Sequence, residues 1–317
     1  MSLCIVSTLY KSAGHLEEFH ARVSAAAQAL TPEYSIILVD DGSPDASLEI
    51  ARRLCARDPR LTVVELSRNH GQHRAIMAGL ALADADLVFL LDSDLEESPE
   101  WLSLFHARME QEGADVVYGV QEQRKGGAFE RLSGEASYRL FNLLSGTVIP
   151  RNITTARLMR REYVDALRRF GERELFLAGL WVLAGFRQIP YPVEKGARGE
   201  SSYTLGKKIS LLVNGVTSFS AAPLYFLFYL GLGILGLSGL YLAYRIALKA
   251  IQGTVLPGFT TLAVSVWLLG GLVLFGLGVV GIYLNKVYTE VKQRPLAIIR
   301  AVHGRGAGSR EGGNAGL

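Results

Sequence analysis

Residues 87–94 read LVFLLDSD: an apolar run, Leu87 to Leu91, that ends on two carboxylates, Asp92 and Asp94, flanking one small residue. A continuous apolar stretch of this length, bounded by polar turn residues, fits a strand covered on both faces. The same design repeats upstream. Leu3 to Leu9, Ser35 to Val39 and Leu61 to Leu66 read as strands, and Asp115 to Tyr118 as a fifth. Between them, apolar residues recur at helical spacing over about Leu16 to Ala29, Ala46 to Arg57, Gln72 to Ala83 and Pro99 to Glu112, with Ser43, Asp45 and Ser98 placed as caps. Strands alternating with helices define an α/β domain with a mostly parallel, Rossmann-like sheet. In such sheets ligands bind beyond the carboxyl ends of the strands. Asp40-Asp41-Gly42-Ser43 follows the second strand and Asp92-Ser93-Asp94 the fourth.

The chain of 317 residues has room for more than this domain. No Asp, Glu, Lys or Arg occurs from Ile209 to Tyr244 or from Ala250 to Asn285. Leu224 to Tyr244 and about Phe259 to Leu284 each reach the roughly 20 apolar residues that cross a bilayer core. Pro257-Gly258 breaks the chain before the second run, so the pair reads as a transmembrane hairpin. Lys207 and Lys208 precede it and Lys286, Lys292, Arg294 and Arg300 follow, against Arg245 and Lys249 in the connection. This bias places both termini in the cytoplasm. Met1 to Leu9 is too short for a signal peptide and runs straight into a strand pattern. Cys4 and Cys55 stand far apart, without the spacing of metal ligands. A net charge of +3 makes nucleic acid a poor partner.

A hard cation such as Mg²⁺ or Mn²⁺ takes one or two carboxylates and completes its shell with phosphate oxygens and water. Asp92 and Asp94 can hold such a cation against a diphosphate, neutralising the charge that grows on a leaving nucleotide. A solvated turn or helix cap carries the same Asp-x-Asp pattern. The buried strand before it, and Asp40 and Asp41 at the neighbouring edge, favour the ligand role. Asp40 has a plainer alternative as a helix cap. Gln72 and His73 follow Gly71, and either line the same cleft or only open the next helix.

Four strings stand in order: VDDGSPDAS from Val39, SRNHGQHRAIMAGL from Ser67, LDSDLEESPEWL from Leu91 and RGESSY from Arg198, ahead of two apolar spans. Over nearly the whole chain, to about Arg300, this set resembles the family 2 glycosyltransferases of the polyisoprenyl-phosphate branch. The resemblance implies a GT-A catalytic domain over 1–204, an interfacial amphipathic helix over 205–222, two transmembrane helices within 223–285 and a cytoplasmic tail over 286–317, whose end from Gly304 is Gly-rich. It also implies a nucleotide-sugar donor, a polyisoprenyl phosphate acceptor, contact with membrane lipids at the inner (plasma) membrane, and homo-oligomers, as tetramers. Asp40 and Asp41 would sit near the donor base and ribose, Asp92 near ribose and metal, Asp94 on the metal, and Gln72, Arg198 and Ser201 along the donor.

A polyisoprenyl phosphate headgroup carries about −1.5 to −2 charge at neutral pH and calls for cations. Arg124, Lys125, Arg131 and Arg139 cluster between the donor motifs and the spans, and Arg131 best matches the family's basic position, which gives it a catalytic role beside Asp92 and Asp94. Two departures stand out. Relatives place an Arg three residues before Gly199 and a Lys before Tyr203, where this chain has Gly196 and Ser202; Arg198 and Lys195 are the nearby substitutes. Many relatives also carry an Asp just ahead of the Arg-Leu-Met segment, where this chain reads Thr154-Thr155-Ala156 before Arg157. Arg157 either holds phosphate or anchors its strand. The expected reaction is inverting transfer from a UDP-sugar to undecaprenyl phosphate. The alternatives are transfer to a carbohydrate hydroxyl, or an inactive membrane accessory protein.

Overall fold

The computed structural model of the protein describes residues 1–121, 150, 152–173, 175–196, 220–252 and 258–304. It divides into two units, one built on a sheet and one on two long apolar helices.

In the sheet unit, β1 (Leu3–Leu9), β2 (Tyr34–Asp40), β3 (Leu61–Leu66) and β4 (Leu87–Leu90) alternate with α1 (Leu16–Leu30), α2 (Ser47–Arg57) and α3 (Gln72–Leu82). Then come α4 (Trp101–Glu112), β5 (Val116–Gln121), β6 (Ile153–Arg160), α5 (Arg161–Arg168), α6 (Leu177–Leu183) and β7 (Gln188–Val193), with β8 (Ile299–His303) supplied from beyond the apolar helices. The strand order is β7-β5-β6-β4-β1-β2-β3-β8. β1 pairs parallel with β2 and β4, β2 with β3, and β5 with β7. β6 runs antiparallel between β4 and β5, and β8 lies antiparallel against β3. The mostly parallel sheet expected from the motifs is thus the one observed.

Two core layers explain the unbroken apolar strands. Phe19 of α1, Ala51 of α2 and Phe105 of α4 pack with Ile5, Leu38 and Phe89 on one face. Ile76 of α3, Tyr163 of α5 and Leu180 of α6 pack with Val6, Val39 and Leu90 on the other. Gly79 lets α3 lie close to the sheet, since a Cβ there would meet Val6 Cγ1 at 2.6 Å. The chain winds outward from β1 to β3, and α3 then carries it back to place β4 on the other side of β1. That reversal falls between β1 and β4, and the carboxyl ends of strands at such a point are the usual ligand position in open α/β sheets.

The helix starts differ from the expected caps. α2 follows Ala46 and α4 follows Glu100, neither with a side-chain cap at that position. Asp45 still accepts the Ser47 amide at 3.2 Å, but Ser43 turns to the Leu9 carbonyl and Ser98 to the Glu100 carboxylate.

In the second unit, α7 (Ala222–Gln252) and α8 (Phe259–Val291) contain the stretches Ala222–Tyr241 and Leu269–Val291, each long and apolar enough to cross a membrane. At 1.5 Å per residue a 33-residue helix is about 50 Å long, more than the roughly 30 Å of a hydrocarbon core. Many of their large apolar side chains are exposed, including Phe226, Leu237 and Leu274, as lipid-facing residues are. Within this unit Tyr283 Oη donates to the Ser220 carbonyl at 2.5 Å. Arg124 and Lys125, most of the expected interfacial helix over 205–222 and the Gly-rich end beyond Gly304 lie outside the described residues. The segment expected to be a tail does more than trail away: residues 299–303 form an edge strand of the sheet.

Candidate active site

β4 delivers the acidic turn to this end of the sheet. Asp92 Oδ1 accepts a hydrogen bond from Gln72 Nε2 at 2.7 Å, and Oδ2 accepts one from Thr155 Oγ1 at 2.9 Å. Ser93 Oγ donates to the Thr8 carbonyl at 2.9 Å and lies 3.0 Å from Ser12 Oγ, which fixes the turn to the end of β1. Asp94 Oδ1 accepts the Glu96 amide at 2.9 Å. Burial, and next the charge of Glu97, push the Asp92 carboxyl up to about 7. Gln72, expected on the donor, reaches the turn itself from the first position of α3, while His73 turns away to the Leu175 carbonyl.

Nothing in the sequence pattern singled out Glu97. It is fully buried, accepts the Asp92 amide at 3.2 Å and the Thr155 amide at 2.9 Å, and pairs with Lys195 Nζ at 2.9 Å. Burial lowers the Lys195 pKa, but Glu97 outweighs it and the net shift is upward. The Gly196 amide donates to the Glu96 carbonyl at 3.0 Å, so the segment after β7 is bound to the acidic turn by backbone and side chain. Lys195, weighed as a replacement cation, thus meets Glu97 with Asp92 and Asp94 as charged neighbours.

The second acidic pair divides its work. Asp41 accepts the His70 amide at 2.6 Å on Oδ1 and the Gly71 amide at 2.9 Å on Oδ2, holding the loop that opens α3. Gly42 has φ +64 and lies so close to that loop that a Cβ would meet Asn69 N at 2.5 Å. Asp40 accepts the Ser43 amide at 3.3 Å on Oδ2, while the buried Oδ1 has no hydrogen-bond partner among the described residues. Burial raises both carboxyl pKa values. An unpaired buried acceptor is costly unless a ligand donor completes it. Tyr10, directly after β1, is half exposed and offers an aromatic face at the same edge; its place after an apolar strand was the available signal.

Arg157 takes the anchoring role. It is fully buried, donates to the carbonyls of Thr155 at 3.2 Å and Thr154 at 3.3 Å, and stacks on the Trp181 indole. Burial pulls its guanidinium down to about 10. This enclosure fits the strand-anchoring alternative. Arg124, Arg131, Arg139, Arg198 and Ser201 lie outside the described residues.

The donor set at the acidic turn suits Mg²⁺ or Mn²⁺. It is all oxygen, and burial, with the charge of Glu97 next, disfavours the charged form of Asp92, a penalty that a divalent cation relieves. Among the described residues no three His, Cys, Asp or Glu side chains converge as ligands. The protein would therefore give one or two carboxylates, as hard cations accept when phosphate and water fill the shell.

Residues 4–168 match the family model for glycosyl transferase family 2. The chain is 45% identical over 315 residues to a Mycobacterium tuberculosis (strain CDC 1551 / Oshkosh) protein with a provisional glycosyltransferase name, covering 98% of this chain and 91% of that one. It is 33% identical over 306 residues to the SfII prophage-derived bactoprenol glucosyl transferase of Shigella flexneri, covering 96% and 99%. A solved structure, the mannosyltransferase PcManGT from Pyrobaculum calidifontis in complex with GDP-Man and Mn²⁺, is similar over 92% of this chain and 86% of that one, with 18% identity and a TM-score of 0.48. The fold is that of a GT-A glycosyltransferase. The chain belongs to glycosyl transferase family 2.

Proposed function

We propose that the protein transfers a sugar from a UDP-sugar to undecaprenyl phosphate, with inversion at the anomeric carbon, on the cytoplasmic face of the inner membrane. The observation that carries this reading is the pair of helices α7 and α8, each with a stretch long and apolar enough to cross a membrane, which suits an acceptor held in lipid. A hydroxyl acceptor needs a base to take its proton. A phosphate monoester, with a second pKa of about 6, already carries its nucleophilic charge. The relatives named bactoprenol glucosyl transferase support the same acceptor.

In this reading Asp40 and Asp41 edge the pocket for base and ribose, with Tyr10 as a stacking face. Asp92 and Asp94 would hold Mg²⁺ or Mn²⁺, which would supply Lewis acidity to the departing diphosphate. Gln72 and Thr155 fix both oxygens of Asp92, and Glu97 orients the turn beneath it. An oxygen of the acceptor phosphate attacks the anomeric carbon opposite the diphosphate. The bond to UDP breaks, and UDP leaves with the electron pair. Arg124, Arg131 and Arg139 would hold the lipid phosphate, and Arg198 and Ser201 the donor. The pairing of β8 with β3 after α8 supports two spans with both ends on one side, and the flanking lysines favour the cytoplasm as that side. Homo-tetramers would follow from the family resemblance.

The test is UDP release by the full chain in nanodiscs, with and without Mn²⁺ and undecaprenyl phosphate. Release that needs both supports the proposal. Release driven by a glycan hydroxyl would replace the acceptor, and neither release nor donor binding would point to the accessory-protein alternative.

A further inference from the structure

The chain re-enters the sheet unit within a few residues of leaving α8. Val291 ends the helix, and Leu296 and Ala297 are already buried, Ala297 in the core layer that contains α3. Ile298 then touches the loop between β3 and α3 twice. Its carbonyl accepts the Ser67 amide at 2.9 Å, and its amide points to His70 Nε2 at 3.5 Å. Ser67 Oγ lies 3.3 Å from the same ring nitrogen. Beyond Ile298, β8 pairs with β3, and Arg300 and His303 approach the buried Glu65 at 3.4 Å, which also pairs with Arg52 of α2.

His70 is the shared member of two clasps. Its backbone amide is held by Asp41 from the side of β2, and its ring faces the post-helix segment from the other side. Burial, and next Arg68, lower the pKa of this imidazole, which favours the neutral ring that can accept at Nε2. The loop so clasped leads through Gly71 into Gln72, which bonds Asp92.

We propose that Leu296–His303 is a structural wall of the nucleotide-sugar site, and that His70 is the positioning residue through which this wall holds the donor loop. This rests on the donor reading given above. The contacts of the segment fall on β3 and on the loop that leads to Gln72, so it acts on donor affinity rather than on lipid-phosphate affinity.

The experiment uses the full chain in lipid nanodiscs, with UDP and GDP in the presence of Mn²⁺ as probes, and compares wild type with His70→Ala, His70→Gln and Ser67→Ala. Losing one hydrogen-bonded anchor predicts about five- to tenfold weaker nucleotide binding for His70→Ala, with the KM for undecaprenyl phosphate within about twofold of wild type. Glutamine returns an acceptor to the ring's position and should recover binding to within about threefold. Unchanged nucleotide affinity in His70→Ala, an equal rise in the lipid KM, or a glutamine variant no better than alanine overturns the inference. Should His70→Ala fail to fold, Ser67→Ala decides: about two- to threefold weaker binding supports the clasp, and unchanged binding overturns it. A wild-type chain that binds neither nucleotide sinks the donor reading and this inference together, whereas normal wild-type binding with unaltered variants sinks the inference alone.

Discussion

The carboxylate of Glu97, with no exposed surface, lies 2.9 Å from Lys195 Nζ and accepts the Thr155 amide at the same distance, so one side chain joins the acidic turn, β6 and the segment after β7. Removing one partner of such a pair strands the other and leaves two backbone donors unsatisfied. Glu97→Ala should lower stability by about 3 kcal/mol, the low end for buried pairs because Lys195 keeps 22% of its side chain exposed. Glu97→Gln keeps the acceptor and should lose less. Thermal unfolding in detergent measures both, and equal losses would mean that the charge has no part in the junction.

Arg22 grips Glu100 through two hydrogen bonds, at 2.9 and 2.7 Å, and with help from Ser98 pulls its carboxyl from 4.5 to about 2. A depressed carboxyl pKa stabilises the fold above the unfolded value, and that contribution fades as pH falls from about 4.5 towards 2. The pair is exposed, so its share is only about 0.5 kcal/mol. Unfolding of wild type and Glu100→Gln should differ by that amount at pH 7 and converge near pH 2. A difference that persists at pH 2 would assign the effect to something other than ionisation.

Asp94 carries the metal proposal. Asp94→Ala should abolish turnover while the chain still inserts into membranes, because the carboxylate belongs to the sheet unit and not to α7 or α8. Activity and membrane fractionation are read on the same preparation. Turnover at the wild-type rate would remove Asp94 from the site.

The first half of the sheet was legible because each strand from β1 to β4 is an apolar run buried on both faces, and each intervening helix repeats at 3.6 residues; the predicted ends differ from the observed ones by one residue or less at β1 to β4. β6 and β8 were not legible. Thr154-Thr155-Ala156-Arg157 hides a buried Arg in a strand, and Ile299–His303 is a short edge strand separated from its partner β3 by the apolar helices. Glu97 was hidden for a related reason. In LEESPEWL it looks like any surface acid, and only its contacts with Thr155 and Lys195, far along the chain, give it a buried place. Asp40, Asp41, Asp92 and Asp94 were visible because a polar pair directly after a buried strand marks the ligand edge of this sheet.

Gly42 sits where two donor-side loops meet. With φ +64, and with Asn69 N only 2.5 Å from the position a Cβ would take, alanine would strain the backbone and push the loops apart. Gly42→Ala should cost about 1–3 kcal/mol of stability. It should also weaken nucleotide binding. Retained nucleotide affinity at reduced stability would show that the loop spacing does not shape the donor pocket.

Thr155 tests the need for a base. Its hydroxyl donates to Asp92 Oδ2, so Thr155→Val removes one support of the carboxylate and should lower kcat/KM about five- to tenfold. Thr155→Asp places a carboxylate at this position. If transfer required a base there, this variant would turn over faster than wild type. A phosphate acceptor gains nothing from such a base, and a new carboxylate within reach of Asp92 adds like charge to a group already raised to about 7. Turnover with undecaprenyl phosphate should therefore fall by at least about tenfold. A rise in turnover with undecaprenyl phosphate for Thr155→Asp would show that a base at this position assists the attack, and would overturn the reading that the acceptor's own charge suffices.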